Sequence, residues 1–230
     1  MLKVVFYFLI VISCVLVSVY SPWIYITFDL TNLFGIEKPE DISGLKVVTI
    51  TGDIEVYVDN QRIGQVKQDD KRFTFDRIKT GLRLVKLKRI SSNESNIYWE
   101  FNKLINFEKG VYVVIFVNLG PTKDFSEGHV IYPVRKKDIN DPTYLHVIFE
   151  NVGGIVQINN EKPVLLENKK EYKTAISLEQ QNKVYVEMIG SESQEFTVLP
   201  DSQEDRDKFK GYDIYVEVFM FNQPIQVNLK

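Results

Sequence analysis

Twenty-five consecutive residues, Val4 to Phe28, carry no charge; Lys3 stands before them and Asp29 directly after. A bilayer core about 30 Å thick needs roughly 20 apolar residues of helix. Val4 to Tyr20 is dense in Val, Leu, Ile and Phe, so one span fits. Tyr20, Trp23 and Tyr25 supply amphipathic rings where the chain would leave the hydrocarbon, and Lys3 on the short leading flank sets a positive-inside orientation. The expected topology is a single-pass plasma-membrane protein with a cytoplasmic N-terminus and everything after the anchor outside. A secretory signal would end at small residues of the A-x-A type, and no good site of that kind appears. Val11-Ile12-Ser13-Cys14 is similar to a lipobox in which Cys14 would be acylated, although Val15-Leu16-Val17 keeps the chain apolar beyond it. Uncleaved anchor, lipoprotein and cleaved signal all place the body of the protein on the same side.

Beyond the anchor the chain has ordinary globular composition. Over its whole length 26% of residues are charged and 44% hydrophobic, enough to build a core. Cys14 is the only cysteine, so the exported part has no disulfide and depends on strand pairing and burial. A net charge of -3, with basic and acidic residues interspersed, offers no field for polyphosphate and argues against nucleic-acid partners.

Residues 29–44 mix Pro, Gly and acids without periodicity and read as a tether. From Leu45 onward, short runs rich in Val, Ile, Tyr, Phe and Thr alternate with period two between Gly, Asn, Asp and Ser. Such runs cover 46–51, 55–59, 81–90, 110–118, 144–150, 156–159, 184–189 and 212–221. No apolar stripe of helical spacing lasts three turns. The expected fold is all-β, two tandem antiparallel β-sandwich domains behind a single N-terminal transmembrane helix. Ile54, Val56 and Val58 should form one buried face; in 212–221, Ile214, Val216 and Val218 share one face and Tyr215, Phe219 and Phe221 the other, so both faces are partly apolar and a cover over the second is expected. In Leu82 to Lys88 the alternation slips between Leu84 and Val85, which predicts a β-bulge there.

The charged stretch Arg135 to Pro142 (RKKDINDP) ends in a turn signal and divides the remainder into 45–137 and 143–230. The two parts begin alike. VVTITGDIEVYVDNQRIG from Val47 to Gly64 and HVIFENVGGIVQINNEKP from His146 to Pro163 each run strand, Gly turn, alternating strand and Asp/Asn turn, at Asp59-Asn60 or Asn159-Asn160.

Gly52, Val56, Val58, Asp59, Gly64, Ile78 and Gly81 together resemble the bacterial and archaeal PEGA domain. Gly52-Asp53-Ile54 stands where that family has its tetrapeptide, Asn60 where it has Gly, and Gln65-Val66 where it has Thr-Pro. Gly120-Pro121-Thr122 with Gly128 beyond it is similar to the tail of larger ectodomains of this type. The second half keeps Gly154, Ile158, Asn159 and Asn160. The resemblance implies a small β-sandwich on envelope proteins, an accessory or binding unit with no active residue to carry over.

The residues themselves show little chemistry. His129 and His146 sit in strand-like settings without metal-ligand spacing, and no nucleophile elbow, phosphate loop or Cys/His pair occurs. The acidic run 201–207 (DSQEDRD) contains Arg206, lacks the Gly and final Glu of a calcium loop, and reads as a solvated loop. Neither a cofactor nor a metal is expected. The sequon Asn93-Glu94-Ser95 matters only in a host with that glycosylation pathway. A contact surface built from Tyr98, Trp99, Tyr215, Phe219 and Phe221 is the most specific site expectation, set against ordinary packing of the same rings. The expected function is a non-catalytic binding or scaffolding module contacting another envelope protein or a cell-wall glycan. The alternatives are a structural subunit self-associating through strand edges and, third, an envelope hydrolase with an unrecognised site, since two carboxylates could meet across the fold although nothing in their spacing recommends a pair.

Overall fold

The computed structural model describes residues 41–90, 97–150, 152–187 and 193–219. The expected anchor 1–28, most of the tether, Cys14, the Asn93 sequon and Phe221 lie outside the described residues. All the described residues belong to one compact unit, which begins at Asp41. Among the described residues no helix is long and apolar enough to cross a membrane.

Among the described residues there are fifteen strands. The first eight are β1 Ile42–Val48, β2 Ile54–Val58, β3 Gln61–Val66, β4 Arg72–Lys79, β5 Gly81–Arg89, β6 Phe101–Phe107, β7 Tyr112–Asn118 and β8 Glu127–Arg135. After the loop at 136–143 come β9 Tyr144–Phe149, β10 Gly154–Ile158, β11 Val164–Leu166, β12 Glu171–Ala175, β13 Lys183–Glu187, β14 Ser193–Thr197 and β15 Tyr212–Phe219. They make a seven-stranded sheet A, in the order β12-β9-β15-β8-β7-β1-β4, and two four-stranded sheets: B, β3-β2-β5-β6, and C, β11-β10-β13-β14.

The pairing repeats one scheme twice. β1 runs antiparallel to β4 and parallel to β7, and β9 runs antiparallel to β12 and parallel to β15. Likewise β2 joins β3 and β5 as β10 joins β11 and β13. The turns agree in detail. Asp59 and Asn159 both adopt positive φ, at 50° and 51°, a conformation these short polar side chains tolerate. Each turn residue donates its N–H across the sheet, to Leu84 O or Lys183 O at 2.8 Å, and its Oδ1 accepts the N–H of the same residue at 3.0 Å. The register sets Val47 level with Val147 rather than His146, because both valines point into cores and His146 points away from its own.

Two cores form on opposite faces of sheet A. Leu45, Val47, Val113, Ile115 and Val130 close against sheet B, while Ile131, Leu145, Val147, Val216 and Val218 close against sheet C. Val130 and Ile131 are neighbours on β8, as Val218 and Phe219 are on β15, and they enter different cores. Alternation along a single strand therefore feeds both. The face expected of β2 is buried, Ile54 and Val56 being 0% exposed, and on β15 it is Ile214, Val216 and Val218 that are 0% exposed. β8 lies between β7 and β15, so sheet hydrogen bonding runs without interruption across the boundary at 136–143.

Three local expectations change. β1 begins at Ile42, inside the expected tether, because Ser43 Oγ donates to Val111 O at 2.6 Å and the Tyr112 ring lies 2.3 Å from where a Cβ on Gly44 would stand. The bulge expected between Leu84 and Val85 is absent: β5 pairs regularly with β2 and β6 throughout. Leu84 simply faces outward beside Leu82 and Leu104, which are 62% and 61% exposed. Register shifts fall instead between Ser43 and Leu45 and between Val56 and Tyr57. The acidic run 201–207 is no open loop. Ser202 Oγ accepts the Asp205 N–H at 3.1 Å and caps a short helix, α1, Gln203–Asp207.

Candidate functional site

Sheet B covers the β4, β1 and β7 side of one face of sheet A, so on that face the β15, β9 and β12 side carries no second sheet among the described residues. The side chains there come from the positions that alternate with the second core: Tyr132 of β8, Tyr215 and Glu217 of β15, Tyr144 and His146 of β9, and Glu171 and Lys173 of β12.

Tyr132, Tyr215 and His146 are direct cross-strand partners, so their rings line up across three strands. Tyr132 and Tyr215 stack with centroids 5.7 Å apart and planes 20° apart; Tyr215 and His146 stack at 4.1 Å and 7°. Tyr144 meets His146 edge-on at 6.5 Å, and Lys173 Nζ sits 4.1 Å over the Tyr144 ring. Stacked in this way the rings consume one another's faces and turn edges outward.

Carboxylates flank the row on both sides. Lys103, on the inner face of the edge strand β6, contacts Glu217 and lies 2.5 Å from Glu150. Tyr132 Oη donates to Glu217 Oε1 at 2.5 Å. Burial opposes the charge of Lys103, but its bonds to Glu150 and Glu217 outweigh that and raise its pKa. Burial likewise pushes Glu150 up, but hydrogen bonding with Glu217 and Lys103 wins and holds it below the usual carboxylate range; Glu217 goes up, through burial and its contact with Glu150. Burial, then the Glu217 contact, pushes the Tyr132 phenol far up. On the other flank, His146 is 4% exposed, its Nδ1 bonds Glu171, and its Nε2, 3.6 Å from Asp213 Oδ2, has no hydrogen-bond partner among the described residues.

Glycoside hydrolysis needs two carboxyl groups roughly 5 Å or more apart with substrate between them. Glu150 and Glu217 instead share one ammonium group, that of Lys103, an arrangement that neutralises charge. No group of three or more His, Cys, Asp or Glu among the described residues is placed to hold a metal.

The residues singled out from sequence separate into different environments. Phe219 is 2% exposed and belongs to the first core, so it offers no surface. Trp99 packs edge-on against it at 6.0 Å and against Phe101 at 6.1 Å. Tyr98 lies beneath the Arg89 guanidinium at 4.3 Å. Of the singled-out rings among the described residues only Tyr215 joins the row, and sequence patterns do not reveal how its members come together. Strand register makes that row, and register between strands far apart in the chain leaves no local signal. The second histidine, His129, sits on the opposite face of β8 between Phe116, at 5.3 Å, and Phe196, at 3.8 Å. Burial lowers its pKa to about 4.

No known family model matches the chain, and no curated protein matches it. The PEGA resemblance rests on turn glycines and core positions alone.

Proposed function

We propose that the chain is a membrane-tethered, extracytoplasmic and non-catalytic platform of the cell envelope: an anchor at 1–28, a tether, and a duplicated PEGA-like β-sandwich module that holds another envelope protein. The observation carrying this reading is the uninterrupted sheet A. Seven strands at about 4.8 Å spacing make a sheet roughly 30 Å wide with no hinge between its halves. Such a slab suits holding a partner at a fixed orientation. The aromatic row Tyr132, Tyr215 and His146 and its flanking charges are the face we assign to that partner, with a cell-wall polymer as the alternative.

Self-association through strand edges is the second reading, and the edges themselves bear on it. β6 points a charged Lys103 inward, β3 carries an extra residue at Ile63, and β12 carries Lys173 beside Glu171, all devices that discourage edge pairing. Carbonate extraction of membranes holding the full chain, then protease digestion from each side, tests the topology. Release by carbonate, or digestion from the cytoplasmic side alone, contradicts it. Light scattering on residues 41–230 tests the second reading, for which a concentration-independent monomer is the adverse result.

A further inference from the structure

The starts of β1, β7, β9 and β15 and the ends of β4, β8 and β12 all lie at one end of sheet A, as their registers require. Asp41 enters at that end. Lys109 Nζ holds its carboxylate at 2.5 Å, Gly110 N donates to Ile42 O at 2.9 Å, and Tyr212 Oη donates to Lys109 O at 3.4 Å. Beside Tyr212, two shallow clefts of about 410 and 650 Å³ open between the 136–141 loop and the 3-10 turn Lys208–Gly211 that leads into β15.

The larger cleft is lined by Arg135, Lys136, Lys137, Lys208 and Lys210 against only two acids, Asp138 and Asp207. Lys208 pairs with Asp205 at 2.6 Å and Lys210 with Asp207 at 3.3 Å. Lys136 bonds only neutral oxygens, Asp141 O at 2.6 Å and Thr143 Oγ1 at 3.5 Å, and Lys137 has no carboxylate partner among the described residues. Between these lysines Ile139 stands 67% exposed at the loop tip, and Ile176 and Leu178 line the smaller cleft beneath it. Uncompensated lysines around an exposed aliphatic side chain match a surface with phosphates outermost and hydrocarbon just below.

We propose that this end of the sheet docks on an anionic bilayer surface, with Lys136 and Lys137 taking lipid phosphates and Ile139 entering the headgroup layer. The proposal rests on the membrane anchor proposed for residues 1–28. Residues 29–40, fully extended, reach about 40 Å at most, so a chain anchored by its apolar run keeps Asp41, at the same end of the sheet as the basic clefts, within that reach of the bilayer.

The test is co-sedimentation of residues 41–230, one compact unit, with phosphatidylcholine vesicles lacking or containing phosphatidylglycerol. Binding is expected only with the anionic lipid and should weaken as salt rises. Lys136→Glu with Lys137→Glu should lower the partition coefficient by at least about tenfold, and Ile139→Asp several-fold, since each lysine near such a surface changes binding roughly fivefold. Lys67→Glu, the same kind of charge change on a turn at the opposite end, should leave it within about twofold of wild type. No binding at low salt, or equal loss in the Lys67 control, overturns the proposal. Carbonate release of the full chain would instead strike the anchor while leaving the vesicle result standing, so the two failures are separable.

Discussion

Arg206 is the residue whose role changes most between sequence and structure. In an acidic run it looks like one partner in a solvated ion pair, yet it is 8% exposed and makes no carboxylate contact. Its Nε donates to Leu178 O at 3.0 Å, Nη1 to Pro200 O and Asp201 O at 3.0 and 2.5 Å, and Nη2 to Glu179 O and Gln203 Oε1 at 3.3 and 2.9 Å. A planar fork with five donors can satisfy carbonyls converging from several segments, which no other side chain can do. Arg206→Met keeps the stem and strands those carbonyls, so it should cost about 2 to 4 kcal/mol in urea unfolding. Arg206→Lys should recover less than half. His129 offers a pH test. Its folded pKa of about 4 lies below the ordinary 6.5, so its contribution is fully present above pH 6.5 and is lost as pH falls toward 4. The loss approaches 1.4 kcal/mol per pH unit, about 3 kcal/mol in all. His129→Phe retains rings between Phe116 and Phe196 and should flatten stability against pH across that window, by the difference between the two curves. Parallel curves for wild type and variant would refute the assignment.

At the scale of elements, β15 joins the two halves. Its Ile214, Val216 and Val218 fill the second core, and its next residue, Phe219, enters the first, against Trp99 and Phe101. Phe219→Ala should cost about 3 to 5 kcal/mol. More tellingly, it should shift the fluorescence transition of Trp99, more than a hundred residues away in sequence, together with the far-UV signal. A shift confined to one probe would mean that β15 supports its own core alone. Elements such as β2 and β15 are legible in the sequence because one buried face and one polar face leave a clean period of two. β3, β4, β11, β12 and β14 are not, being edge strands with both faces partly wet. β6 and β8 also lack a clean alternation: Lys103 interrupts the buried face of β6, and on β8 the neighbours Val130 and Ile131 are both buried, one in each core. The bulge expected in β5 fails for a related reason. A leucine out of phase reads as a kinked strand, whereas β5 tolerates an exposed Leu82 and a half-buried Leu84 on its outer face because Leu104 lies across from Leu84.

For the whole molecule, a shared sheet implies shared cooperativity. β8 needs β15 on one side and β7 on the other, so neither half can unfold without exposing a long unpaired edge in its neighbour. Residues 41–230 should show one urea transition by both circular dichroism and Trp99 fluorescence. A fragment ending at residue 140 lacks Phe219 and the partner of β8, and should show no cooperative transition or should associate. Independent folding of that fragment would count against a rigid platform. The local patterns of this chain, periodicity, turn residues and the uncharged leading run, suffice for the all-β class, the inner faces of its central strands and the similar opening of its two halves, because each depends on neighbours within a few residues. How the sheets merge, which rings stack, and where Glu150, Glu217 and Lys103 meet were decided only in the folded molecule. Those contacts join strands up to 114 residues apart, and the register that makes them is set by burial summed over whole sheets rather than by any short stretch of chain.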